Sequence, residues 1–131
     1  MADFETLNTD PAPVWVLVAD DDAATRLLLR KRLEKSGYQV ICAKTGREAV
    51  DILSDKVASA VLDLKMPDGD GLFCLRYIRK NFPDMTPLML TASENIANAV
   101  EAMKQGALDY VTKPFNPGQV AALVDKSVAA W

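Results

Sequence analysis

The stretch Val14-Trp15-Val16-Leu17-Val18-Ala19-Asp20-Asp21-Asp22 sets six apolar residues directly before three carboxylates. A short continuous apolar run of this kind suits a strand buried on both faces. Four more such runs follow, at Gln39–Ala43, Ala58–Leu62, Leu88–Leu90 and Tyr110–Val111. Between them lie longer stretches with helical spacing. Leu29 and Leu33 share a face of the first helix, with Arg26, Arg30 and Lys31 free to point to water. Val50 and Leu53 recur in the second helix, and Leu72, Leu75, Ile78 and Phe82 in the third. Ile96, Val100 and Met103 mark the fourth, and Val120, Val124 and Val128 the fifth. Gly37, Asn81-Phe82-Pro83 and Gly106 stand where the first, third and fourth helices must stop. Five strands alternating with five helices predict an α/β fold with a parallel sheet covered on both faces. Right-handed crossovers then favour a doubly wound five-stranded sheet in the order 2-1-3-4-5.

The 131 residues suit one domain with a single core, half of them hydrophobic and a quarter charged. A net charge of -3 gives no general attraction to nucleic acid or to an anionic membrane. The apolar runs are too short to span a bilayer, and the acidic N-terminus is the opposite of a signal peptide. Residues 1 to about 12 read as a loose tail. Cys42 and Cys74 match no zinc spacing and read as small hydrophobes in a reducing cytosol, so a cytoplasmic location is expected. Histidine is absent. That removes Ser-His-Asp and Cys-His catalysis and every His-ligated metal site.

In a doubly wound sheet, ligands bind outside the carboxyl ends of the strands, at the switch point between strands 1 and 3. Strand 1 ends in Asp20-Asp21-Asp22 and strand 3 in Asp63; strand 4 ends in Thr91 and strand 5 in Thr112-Lys113-Pro114. Carboxylates crowded at one point repel one another unless a cation neutralises them. An all-oxygen ligand set argues for Mg²⁺, with Mn²⁺ able to substitute. Mg²⁺ beside a lysine and a hydroxyl is a phosphoryl site, where protein catalysis is mostly positioning and charge neutralisation. The nucleophile must be a carboxylate, which forms an acyl phosphate. Asp63 stands alone at mid-sheet, whereas Asp20 and Asp21 are paired as if to share a cation.

The segments VLVADDD (16–22), VLDLKMPDGDGL (61–72), MLTAS (89–93) and GALDYVTKPF (106–115) resemble the receiver domain of two-component response regulators, the CheY-like group. Four motifs in order and spacing make the resemblance specific, and the wording AVEAMKQGALDYVTKPF is nearest to receivers of NtrC-like transcriptional activators. The resemblance implies a flavodoxin-like (βα)5 domain over residues 13–131. It implies that Asp63 is the phosphoacceptor, and that Asp21, Asp63 and the Lys65 backbone carbonyl ligate Mg²⁺, with Asp20 acting mostly through water. Thr91 and Lys113 would contact the phosphoryl group, the Lys113–Pro114 peptide would be cis, and Tyr110 would swing between exposed and buried as Thr91 moves. The implied partner is a sensor histidine kinase or phosphotransfer protein, since this chain has no histidine to phosphorylate. A second copy of the chain, through helix 4, strand 5 and helix 5, is the other partner considered. Direct nucleic-acid contact and membrane association are not expected, and the output controlled is expected to be transcriptional.

Each signal has a plainer reading. Asp22 can cap the first helix, and Asp68-Gly69-Asp70-Gly71 can be a turn opening the third rather than a calcium loop. Thr91 can bond local backbone, Lys113 and the basic cluster Arg26, Arg30, Lys31, Arg32 and Lys35 can be solvated surface, and Tyr110 can be core packing. Two rivals, one an enzyme and one a cofactor binder, fit less well. A haloacid-dehalogenase-type phosphatase wants a second Asp two residues after its nucleophile, where Lys65 stands. A flavodoxin-like cofactor binder wants a Gly/Ser/Thr phosphate loop, where three carboxylates stand.

Overall fold

The computed structural model describes residues 12–131; the expected loose tail falls almost entirely outside them. The elements run β1 (Trp15–Ala19), α1 (Ala23–Lys35), β2 (Gln39–Ala43), α2 (Gly46–Ile52), β3 (Val57–Asp63), α3 (Gly71–Asn81), β4 (Leu88–Ala92), α4 (Ile96–Lys104), β5 (Asp109–Lys113) and α5 (Pro117–Ala130). A 3₁₀ turn, Ser93–Asn95, joins β4 to α4. The five strands form one parallel sheet in the order β2-β1-β3-β4-β5, as the alternation predicts.

Strand alternation divides the core into two layers. Val16, Val18 and Val61 point toward Leu29 and Leu33 of α1 and Val120, Ala121 and Val124 of α5. Leu17, Ala60 and Leu62 point the other way, toward Ala49 and Val50 of α2, Leu72, Leu75 and Ile78 of α3, and Ala99 and Ala102 of α4. All seven residues of β3 are buried. The central strand is thus fixed on both faces, and Asp63 sits on its end as on a rigid post.

The helix ends follow the local chemistry. Asp22 caps α1 through the Thr25 N–H, and Asp70 caps α3 through the Phe73 N–H at 2.9 Å. The Asp68-Gly69 turn has both residues at positive φ, 51° and 99°, so the turn reading holds. Helix α4 departs from its sequence pattern. Ile96, Val100 and Met103 are exposed, at 39%, 45% and 38%, while Ala99 and Ala102 are buried. The small residues let the helix backbone approach the sheet closely, which leaves the bulkier apolar row in water. Cys74 is buried, Cys42 is half-buried, and both are free thiols. Burial pushes the Cys74 thiol up to about 12, so it behaves as the small hydrophobe expected.

Tyr38, just after α1, donates its hydroxyl to Asp125 of α5 and ties the two helices of that layer together. Burial first, and then the Asp125 carboxylate, push the phenol up to about 12. A raised phenol favours folding below the unfolded value near 10 and loses that contribution as pH rises through 12. The hydrogen bond itself is open to solvent, so Tyr38→Phe is expected to cost under about 1 kcal/mol at pH 7. Melts between pH 9 and 12 should show the variant losing less stability than the parent across that window.

Candidate functional site: an acidic pocket at the strand ends

The first turn after β1 is bent by its own carboxylates. Asp20 is fully buried, and its Oδ1 accepts the Asp22 N–H at 2.9 Å. Its backbone N–H donates to the Ala43 carbonyl at 3.1 Å, which pins the turn to the end of β2. Arg26, expected in water, is half-buried and donates to the Asp20 carbonyl at 2.8 Å. Arg30 likewise reaches the Val40 carbonyl at 3.4 Å as well as Glu34. The basic face of α1 is therefore partly spent on holding the acidic turn and β2.

Asp63 is 5% exposed. Its Oδ1 accepts the Lys65 N–H at 3.1 Å, so the loop after β3 closes back onto the carboxylate. Carboxylate oxygens of Asp20, Asp21 and Asp63 all lie within 4.8 Å of one another. Asp21 is the exposed member of the three, facing the opening. Lys113 reaches across from β5, with Nζ 2.8 Å from Asp20 Oδ2 and 3.1 Å from Asp63 Oδ2. Three carboxylates thus meet one ammonium. Burial is the main reason the Asp63 carboxyl is pushed up; the neighbouring Asp20 charge adds to this, while the Lys65 N–H and Lys113 oppose it. Burial works against the Lys113 ammonium, but hydrogen bonding and attraction to Asp20 and Asp63 more than offset it and hold the group charged.

The remaining expected residues stand close by. Thr91 is fully buried, and its hydroxyl donates locally, to the Ala92 carbonyl at 3.0 Å and the Asn95 carbonyl at 3.4 Å. The Lys113–Pro114 peptide is cis. Tyr110 is half-buried against the layer formed by α2, α3 and α4. The sheet register pairs Met89 with Tyr110 and Thr91 with Thr112, which sets Tyr110 and Thr91 on one face of the sheet. A cavity of about 210 Å³ opens over the carboxylates, lined by Asp21, Asp63, Lys65, Ala92, Asn95 and Lys113. Sequence reasoning missed Arg26 and Asn95. Arg26 carries no motif, and Asn95 is brought to the pocket only by the 3₁₀ turn after β4.

The donor set fits a hard divalent cation: every convergent ligand is a carboxylate oxygen, at a spacing one ion can bridge. Residues 16–125 match the family described as "Response regulator receiver domain". The chain is 44% identical over 104 residues to "Response regulator MprA" of Mycolicibacterium vanbaalenii, covering 79% of this chain and 45% of that protein. It is 34% identical over 118 residues to "DNA-binding transcriptional regulator NtrC" of Klebsiella pneumoniae, covering 89% of this chain and 25% of that protein. The chain thus spans less than half the length of these curated relatives. Among solved structures, a response regulator receiver domain protein from Clostridium thermocellum aligns with a TM-score of 0.83 at 28% identity, over 88% of this chain and 94% of that one. With the acidic triad and Lys113 at the strand ends of a 2-1-3-4-5 sheet, the chain belongs to the response regulator receiver domain family, whose members are phosphoacceptor switches rather than turnover enzymes.

Proposed function

We propose that Asp63 accepts a phosphoryl group from the phosphohistidine of a partner histidine kinase or phosphotransfer protein, and that the modification alters the α4-β5-α5 surface to control an output. The observation that supports this most is the convergence of Asp20, Asp21 and Asp63 with Lys113 at one opening. A Mg²⁺ ion held by these carboxylates would supply charge neutralisation for the phosphoryl group. Asp21, Asp63 and the Lys65 carbonyl are its proposed direct ligands, with Asp20 acting through water.

In the transfer, an Asp63 carboxylate oxygen forms a bond to phosphorus as the phosphorus–nitrogen bond of the donor breaks. The released imidazole nitrogen takes a proton from solvent. Lys113 lies 3.1 Å from the carboxylate, which supports a role for it in holding a phosphoryl oxygen. Thr91 must release the Ala92 and Asn95 carbonyls before its hydroxyl can turn to the phosphoryl group. That exchange draws the β4–α4 turn inward, and Tyr110, two positions away on the same face, follows. The modification adds roughly -1.5 to -2 charge at neutral pH, and a few kcal/mol of differential interaction suffices to shift a two-state equilibrium.

The donor docks over α1, where Leu27 and Leu28 are exposed and Leu28 joins Lys113, Pro114 and Phe115 around a second opening. Relatives named as a DNA-binding transcriptional regulator and a transcriptional regulatory protein point to a transcriptional output. Residues 13–131 form the receiver unit in this reading. Incubation with phosphoramidate and Mg²⁺, followed by intact mass measurement, tests the chemistry. One added phosphoryl group that depends on Mg²⁺ is expected; no adduct under any condition would sink the proposal.

A further inference from the structure

Asn95 occupies the helix-capping position of α4, yet its side chain makes no capping hydrogen bond. Asparagine is a favoured cap because its side-chain oxygen can satisfy a free N–H of the first turn. Its neighbours in this fold behave that way: Asp22, Thr45, Asp70 and Asn116 all cap their helices through the side chain. Asn95 differs in its backbone as well, with φ -103° and ψ 26°, between the 3₁₀ turn and the helix. It is half-buried and lines the same cavity as Asp21, Asp63, Lys65 and Lys113. Its carbonyl is also one of the two groups that hold the Thr91 hydroxyl, at 3.4 Å.

We infer that the Asn95 carboxamide is a further positioning group for the phosphoryl oxygens on Asp63, acting beside Thr91 and Lys113; the inference rests on the phosphoacceptor reading above. The pocket becomes more negative on phosphorylation, so a neutral group that can donate through its NH₂ is what the opening needs. A carboxylate of the same shape would repel the anion. The link through Thr91 adds a second effect. When the hydroxyl leaves the Asn95 carbonyl, the residue that carries the carboxamide is released at the same moment. Phosphoryl contact by Thr91 and by Asn95 is then a single coupled movement of the β4–α4 turn.

The test compares Asn95→Ala and Asn95→Asp with the parent, using phosphoramidate and Mg²⁺, with folding checked by thermal melts. Two rates are read, phosphorylation and decay of the adduct after the donor is removed. Loss of one hydrogen bond to a charged group predicts about tenfold slower phosphorylation for Asn95→Ala. Asn95→Asp should be slower still, because it replaces a donor with a charge of the wrong sign. In both variants the adduct should decay faster than in the parent. A role in packing or helix initiation alone predicts the opposite order, with the isosteric Asp variant near the parent and Ala impaired. That order, or rates within twofold of the parent for both variants, would overturn the inference while leaving phosphorylation of Asp63 intact. A parent protein that takes up no phosphoryl group would instead overturn the phosphoacceptor reading, and this inference with it.

Discussion

Asp63→Asn is expected to lower phosphoryl uptake by on the order of a hundredfold or more, because it removes the proposed nucleophile while preserving its shape. The same change should make the metal-free protein more stable. The Asp63 carboxyl is pushed up, chiefly by burial. A carboxyl whose folded value lies above its unfolded value costs stability whenever it carries its charge. A neutral amide escapes that cost, so the melting temperature without Mg²⁺ should rise. Mg²⁺ should then stabilise the parent more than the variant, since a ligand that binds only the folded state stabilises in proportion to its site affinity. Opposite movements in function and stability mark a site that is held under electrostatic strain for its chemistry. A variant that lost both uptake and stability would instead mean that Asp63 is a structural residue.

Gly46→Ala should be the most damaging small substitution outside the pocket. A Cβ at Gly46 would lie 2.0 Å from the Gly69 carbonyl oxygen and 2.4 Å from its carbon. Both are backbone atoms, so no side chain can rotate to relieve the clash. The contact exists because α2 begins against the loop after β3: the Gly46 and Arg47 N–H groups donate to the Pro67 and Asp68 carbonyls, at 3.4 and 2.8 Å. That loop includes Lys65, whose N–H donates to Asp63. Forcing it outward should cost on the order of 3 kcal/mol and lower the melting temperature by roughly 10 °C. Calorimetric titration should also show weaker Mg²⁺ binding, because the Lys65 carbonyl, a proposed ligand, moves with the loop. Unchanged melting would mean that the loop has slack, and that its close approach to α2 does not fix the site.

The strands and the meeting of Asp20, Asp63 and Lys113 were legible in the sequence because each rests on a short-range rule. Apolar runs of the right length make buried strands, and right-handed crossovers leave few orders, the natural one bringing the ends of strands 1 and 3 together. The outward row of Ile96, Val100 and Met103 was not legible. Apolar spacing marks a helical face, but not whether that face or the Ala99–Ala102 face meets the sheet. Arg26 was read as solvated because a basic residue on an amphipathic helix usually is; its bond to the Asp20 carbonyl depends on a turn six residues earlier in the chain. Asn95 was hidden for a similar reason. Its place at the opening comes from three residues of 3₁₀ turn, which no periodicity announces.

Asp63 is the centre of this reading, and the most direct test is to locate the modification. The protein would be phosphorylated with phosphoramidate and Mg²⁺, digested, and the phosphoryl group assigned to a residue by fragmentation of the peptides. The expected result is a single modified position, Asp63, with no modification when Mg²⁺ is removed by a chelator. A phosphoryl group found on Asp20, Asp21, a serine or a threonine, or one that forms equally well without Mg²⁺, would contradict it.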